Sequence, residues 1–364
     1  MKILYFIDRI DTPGGVERVL SVKANYFVDK GYDVGIVTLE KGNKPPFFTF
    51  SPEIKIHYLN VQNNKIKNKE HIQKVTELII EENPDICISM FGLEIYFLHS
   101  INHPCKKIVE YHSSKMALEI QSKNIIHKIY RKYLVKRIEK NLRKFSKVVL
   151  LTQEDQKSWD LNNSTVIYNP LIEKLSDEYA DYSKKEVITL GRIPFVKGYD
   201  LLIDVWNIVH RKFPEWNLKI IGLGSENAEV IENKVKQLEL NDVIEILPIV
   251  KNVEDYYLSS SIYVLSSRYE GFPMTLLEAS SFGLPIVAWK CPTGPSEIVK
   301  HKESGLLSKY LDIQNLADQL MILMESEDKR RKFGIKSKEN MKQFDIEVII
   351  NQWLQLFNEL KISK

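Results

Sequence analysis

Cysteine is almost missing from this sequence. Cys87, Cys105 and Cys291 are the only ones in 364 residues. Their odd number and scattered spacing fit neither a disulfide framework nor a zinc site, and they suggest a reducing compartment. Long apolar runs are missing too, and none approaches the ~20 residues of a membrane span. The opening residues, Met1-Lys2-Ile3-Leu4-Tyr5-Phe6-Ile7-Asp8, carry charge too early for a signal peptide and read as a first strand. Neither sign of charge prevails: 51 Lys and Arg stand against 48 Asp and Glu, a net of +3. That balance gives no global case for nucleic acid. What is present, 44 % hydrophobic and 27 % charged residues, belongs to a globular chain long enough for two domains.

The most informative stretch runs from Ser266 to Ala279. Ile262-Tyr263-Val264-Leu265 before it reads as a buried parallel strand. Met274 to Phe282 reads as a helix, with Pro273 at its start and Gly283 at its stop. A strand end thus delivers Glu270 to a loop, and Glu278 sits one turn into the following helix. Backbone N–H groups at Met274 and Thr275 would face an anion there. Carboxylates beside an anion-binding helix end suit neutral polar partners, and sugar hydroxyls are the obvious ones.

The first half alternates strands with helices. Ile3–Ile7, Gly14-Gly15, a helix from Val16 to Asp29 and the strand Val34–Leu39 form a βαβ unit. No G-x-G-x-x-G follows the first strand, so the dinucleotide fingerprint is missing. Further strands are expected at 54–58, 86–90, 107–111, 148–151 and 165–167. His112 falls just after one of them, at the mouth of the sheet. Residues 122–147 hold ten Lys or Arg and a single acid, Glu139. Ile126, Ile129, Tyr133, Leu134, Ile138, Leu142 and Phe145 line one face of the helix expected there. Its basic side reads either as resting on anionic lipid or as a solvated face.

A polar stretch, 171–185, reads as a linker. The pattern then restarts with strands at 187–190, 218–221, 243–247, 262–265 and 285–289. Gly191-Arg192 and Lys197-Gly198 bracket the loop after the first of these, and two fixed cations there suit a pyrophosphate. Thr293-Gly294-Pro295-Ser296-Glu297 is another turn into a helix that could face a ligand. After Asp312 the chain is helical, and residues 346–360 carry a second apolar stripe.

Glu270 and Glu278, inside S-x-x-E-G-F-P-x-x-L-L-E-A, resemble the E-x7-E signature of retaining GT-B glycosyltransferases of family 4. G-R-x-x-x-x-K-G at 191–198 resembles that family's phosphate loop, Gly14-Gly15-Val16-Glu17-Arg18 its Gly-Gly turn, and Tyr168-Asn169-Pro170 its domain crossover. The resemblance implies two Rossmann-like doubly wound α/β domains with a cleft between them. An acceptor-binding domain would span 1–170, with 346–364 packing back on it, and a nucleotide-sugar-binding domain 186–345. It implies metal-free, cofactor-free transfer of a hexose or N-acetylhexosamine from a UDP-linked sugar. Arg192, Lys197, Gly14, Gly15, Met274 and Thr275 would hold the diphosphate. His112, Glu270, Gly271, Phe272 and Pro273 would meet the donor sugar, and Glu278 the ribose. Leu247, Pro248 and Ile249 would seat the base, although Pro248 replaces a common glycine and offers no N–H. The Gly-Gly turn and the Cys291–Glu297 segment resemble bacterial enzymes of capsule, O-antigen or lipid-linked oligosaccharide synthesis. A glycan or lipid-linked acceptor, and a cytoplasmic place peripheral to the inner membrane face, follow from that likeness. The rival readings are a sugar-nucleotide-binding protein without catalysis, an epimerase on the same architecture, and a glycosidase using the two glutamates.

Overall fold

The computed structural model describes residues 1–39, 44–61, 68–120, 125–172, 175–250 and 252–362. Parts of the expected basic helix (122–124), linker (173–174) and last helix (363–364) lie outside the described residues. The chain divides into unit 1, Met1–Ile172 with Ile346–Lys364, and unit 2, Glu173–Asp345.

Unit 1 is built on β1 (Lys2–Ile7), β2 (Asp33–Thr38), β3 (Lys55–Tyr58), β4 (Ile86–Ser89), β5 (Lys106–Tyr111), β6 (Lys147–Leu150) and β7 (Ser164–Val166). They form a parallel sheet in the order β3-β2-β1-β4-β5-β6-β7. β1 is apolar at nearly every position because helices cover both faces of the sheet. The two-residue period sorts its side chains. Ile3, Tyr5 and Ile7 pack with residues of Gly15–Asp29 and of Ile346–Ile362. Leu4 and Phe6 pack on the other side, with residues of Lys69–Glu82 and Ile125–Leu142. The returning helix contributes Ile349, Ile350, Trp353 and Phe357 to unit 1's core, Phe357 lying 5.8 Å from Phe27.

Unit 2 repeats the plan with β8 (Glu186–Leu190), β9 (Asn217–Ile221), β10 (Ile244–Leu247), β11 (Ile262–Leu265), β12 (Ile286–Trp289) and β13 (Gly305–Ser308). The order is β10-β9-β8-β11-β12-β13, again parallel. The strand order reverses direction between β1 and β4 and between β8 and β11. Ligands of open α/β sheets bind beyond the strand ends at such switch points.

Several expectations change. Gly305–Ser308 is a strand; four residues after a turn carry too little periodicity to announce it. The stretch 175–185 is tied to unit 2: Ala180 N–H bonds the Phe282 carbonyl at 2.8 Å, and the Tyr182 hydroxyl bonds that of Gly283 at 2.9 Å. The basic helix ends earlier than expected, at Leu142, because Lys147 already opens β6. Its apolar face is also split. Val135, Ile138 and Leu142 are buried, while Ile126, Ile129, Tyr130 and Tyr133 stand in solvent.

Candidate functional site

In unit 2 the loops after β8 and β11 meet at the switch point. Ser266 Oγ donates to the Lys197 carbonyl at 2.8 Å, and Arg268 N–H to the Val196 carbonyl at 2.8 Å. The approach needs a glycine. Gly198 has φ +65°, and a Cβ there would lie 2.1 Å from the Ser266 carbonyl oxygen. Gly191 instead makes room for the Lys197 stem, which lies 2.6 Å from where its Cβ would stand.

Folded down in this way, Lys197 Nζ reaches Glu270 Oε1 at 2.8 Å, and the Ser267 hydroxyl donates to the same oxygen at 2.5 Å. The expected diphosphate ligand and the expected sugar ligand are therefore joined in one ion pair. Burial alone would lower the Lys197 pKa; the Glu270 carboxylate outweighs it and leaves it raised. Arg192 is exposed and has no ion-pair or hydrogen-bond partner among the described residues. Thr293 Oγ1 donates to the Glu270 carbonyl. Gly294, at φ +101°, lets the chain pass where a Cβ would lie 2.4 Å from Pro273 Cδ. The 293–297 turn thus braces the Glu270 loop.

The helix after this loop is Met274–Ser281, with Pro273 at its N-cap. Its first N–H groups, at Met274 and Thr275, lie ahead of any intrahelical acceptor. Glu278 Oε2 accepts from the Tyr257 hydroxyl at 3.1 Å, and the Tyr257 ring stacks on Phe282. The Phe272 ring is buried against Phe344 at 5.7 Å, which is a packing role. Leu247 closes β10, its carbonyl accepting from Gly222 and Leu223, and Ile249 is exposed. A surface hollow lined by Glu186, Asn217 and Lys219 lies at the strand starts instead, where Glu186 holds Lys219 at 3.3 Å.

Arg268 carries no motif that announces it in the sequence. Its guanidinium forks onto Asp200 at 2.8 and 2.7 Å, donates to the Phe195 carbonyl at 2.7 Å and covers the Phe195 ring at 4.4 Å. It clamps the short Pro194–Lys197 helix to the Glu270 loop. Burial would raise the Asp200 pKa, but the arginine holds it below the usual value. Arg268→Met is expected to cost about 2 kcal/mol of stability, the scale of one lost charge-assisted bond. It is also expected to lower kcat/KM about tenfold by loosening Lys197. Thermal melts and initial rates on one preparation measure both.

In unit 1, Gly14 caps the helix Gly15–Asp29. A Cβ on Gly14 would lie 1.9 Å from Glu17 Oε2, whereas Gly15 has open space around it. Glu17, held by Thr12 Oγ1, therefore folds its carboxylate over the helix start where a phosphate was expected. His112, one residue past β5, sets Nε2 3.2 Å from Glu110 Oε1, and Glu110 in turn holds Lys23. Neither partner is foreseeable from the sequence. Among the described residues no group of three or more His, Cys, Asp or Glu could hold a metal ion.

Comparison with known proteins places the chain. Residues 173–340 match the model for glycosyl transferases group 1. An uncharacterized glycosyltransferase of Haemophilus influenzae is 32 % identical over 369 residues, 97 % of this chain and 98 % of that one. The amylovoran biosynthesis glycosyltransferase AmsD of Erwinia amylovora is 30 % identical over 375 residues, 98 % and 99 % of the two chains. Among solved structures, Anabaena HepE in complex with UDP-glucose superposes with a TM-score of 0.76 at 18 % identity, over 99 % of this chain and 100 % of that one. Paired Rossmann-like parallel sheets of this kind make the GT-B fold. The chain belongs to the glycosyltransferases, and its residues 173–340 match those of group 1.

Proposed function

We propose that the protein is a retaining glycosyltransferase of family 4. It moves a hexose or N-acetylhexosamine from a UDP-linked sugar to a glycan or lipid-linked acceptor in cell-surface polysaccharide synthesis. The observation that carries this reading is the Lys197–Glu270 pair, 2.8 Å long, at the unit 2 switch point beside Arg192 and the start of the helix Met274–Ser281. Two cations and a helix end are suited to a diphosphate; two glutamates are suited to hydroxyls. The UDP-glucose bound to HepE and the amylovoran biosynthesis named for AmsD support the same donor and product class.

In this reading Arg192 and Lys197 grip the diphosphate, whose negative charge grows as the anomeric C–O bond breaks. Glu270 accepts from donor-sugar hydroxyls, Glu278 from the ribose, and His112 bonds a further sugar hydroxyl. The acceptor oxygen bonds to the anomeric carbon on the face the diphosphate leaves. The departing phosphate oxygen takes the acceptor's proton, so no protein base is needed. Arg192 and Lys197 stand in for a metal. Release of UDP from a panel of UDP-sugars, with and without EDTA, tests this. Turnover that vanished in EDTA and returned with Mn²⁺ would remove the metal-free step, and turnover with no UDP-sugar would remove the donor class.

The same reading places the protein at the inner membrane face. Ile126, Ile129, Tyr130 and Tyr133 are 77, 66, 55 and 61 % exposed. Their spacing makes one stripe, and Lys128, Lys132 and Lys136 stand exposed on the same helix. Exposed apolar rings with basic neighbours suit an anionic lipid surface. Ile126→Glu with Ile129→Glu is expected to weaken co-sedimentation with phosphatidylglycerol vesicles about 100-fold, from roughly 1.5 kcal/mol per buried isoleucine. UDP-sugar hydrolysis should stay unchanged. Equal sedimentation of variant and wild type would place the protein elsewhere.

A further inference from the structure

Lys23 and Glu110 are buried almost as fully as the core leucines of unit 1, at 1 and 2 % exposure. Lys23 Nζ lies 2.5 and 2.7 Å from the two carboxylate oxygens. The Trp353 ring covers the ammonium at 4.0 Å, and Tyr5 flanks it at 5.9 Å. A well-packed apolar pair of similar volume is often as stable as a buried ion pair or more so. Ile3, Ile36, Ile88 and Ile108 of the same core would accommodate one. Stability alone therefore gives no reason for these charges.

The pair has a third member. Glu110 and His112 are two residues apart at a strand end, so they share a face of the sheet. His112 Nε2 lies 3.2 Å from Glu110 Oε1 as an ion-pair contact, has no aligned hydrogen bond, and is buried. The ring's Nδ1 has no hydrogen-bond partner among the described residues. A carboxylate behind a histidine fixes its orientation and its proton, and leaves the other nitrogen for the ligand. Gripped through both oxygens by Lys23, this carboxylate cannot swing. Burial would raise the Glu110 pKa, but Lys23 and then His112 hold it down to about 2. It therefore only accepts.

We propose that Lys23 and Glu110 are positioning residues for the transfer. They hold His112 so that Nδ1 meets a donor-sugar hydroxyl, and Trp353 of the returning helix closes the assembly over Lys23. The proposal rests on the assignment of His112 to the donor sugar.

The test pairs Lys23→Met with Glu110→Leu, which removes both charges together and preserves volume. The double variant should melt at or above the wild-type temperature and keep its KM for the UDP-sugar within about twofold. Its kcat should fall roughly 10–100-fold, the usual cost of losing a carboxylate behind a histidine. Adding His112→Ala should cost nothing further, because residues that act as one unit do not add. Should the double variant fold poorly, Glu110→Asp keeps the charge for Lys23 but withdraws it from His112. That variant should lower kcat alone. Wild-type kcat in either variant, with His112→Ala impaired, would overturn the proposal. Full activity in His112→Ala would instead remove the role given to His112, and the proposal with it.

Discussion

Lys197→Ala is expected to lower kcat by about 10²–10³, the scale of losing one fixed electrostatic group aimed at developing charge. At 1.36 kcal/mol per tenfold, that is about 3–4 kcal/mol of the barrier. The affinity for UDP should fall less, because the diphosphate keeps Arg192 and the helix end at Met274. The loss should therefore fall mainly on kcat, which separates transition-state stabilisation from uniform binding. Removing the ammonium also leaves the Glu270 carboxylate to Ser267 alone on that side, beside an anionic ligand. Initial rates and calorimetric UDP titrations of the same variant measure both quantities, and a lower UDP affinity with unchanged kcat would contradict the assignment. The pH behaviour has a definite sign. A lysine whose folded pKa is raised contributes stability that is complete below the unfolded value. It loses that stability as pH rises through the folded one. Since 10.5 is the ordinary value and Lys197 lies above it, no alkaline loss from this group should begin near neutrality.

Glu110→Leu, made alone, should be among the most destabilising single changes in unit 1. It strands the Lys23 ammonium in a core at 1 % exposure. Breaking one side of a buried pair costs about 3–5 kcal/mol. For units of this size that lowers the melting temperature by about 10 °C. With Lys23→Met added, the loss should be fully recovered, since no uncompensated charge remains. The pair also sets an acid limit. Glu110 titrates near 2 in the fold against an ordinary 4.5. Its stabilisation is present above 4.5 and is lost as pH falls toward 2. Melting temperatures taken from pH 6 down to pH 2.5 should show that slope in the wild type and a shallower one in the double variant. Parallel slopes would mean that the acid loss arises elsewhere.

Much of this architecture is legible from residues in order, because neighbours in sequence set strands, caps and turns. Ile262–Leu265 is apolar throughout and is a central strand. Thr152 does cap a short helix, its hydroxyl accepting from Asp155 N–H at 3.0 Å. Glu270 sits in a loop beyond a strand end, as the sequence suggests, while Lys197 closes a short helix, Pro194–Lys197, that the sequence reads as loop; their mutual contact is not legible. Lys23 and Glu110 are 87 residues apart, and Arg268 and Asp200 are 68 apart. Each is an ordinary charged residue in its own segment, and only the assembled sheet makes either a pair. The basic helix misleads in another way. Periodicity finds an apolar face but does not say what covers it, so it groups Ile126 and Ile129 with Ile138 although solvent reaches them. Gly14 is legible as a place without a side chain, but the atoms that need the room belong to Glu17.

The chain leaves unit 1 at Ile172 and re-enters it at Ile346. On the ribosome, every residue of unit 2 is therefore made before the helix that supplies Ile349, Trp353 and Phe357. A nascent unit 1 waits with part of one sheet face and of the helix Gly15–Asp29 uncovered and with Lys23 lacking its indole cover, while unit 2 is contiguous and can fold as it emerges. Nonsense or frameshift lesions after Asp345 would spare the predicted phosphate loop entirely, yet yield a protein whose amino-terminal half is exposed to holdase chaperones and proteases.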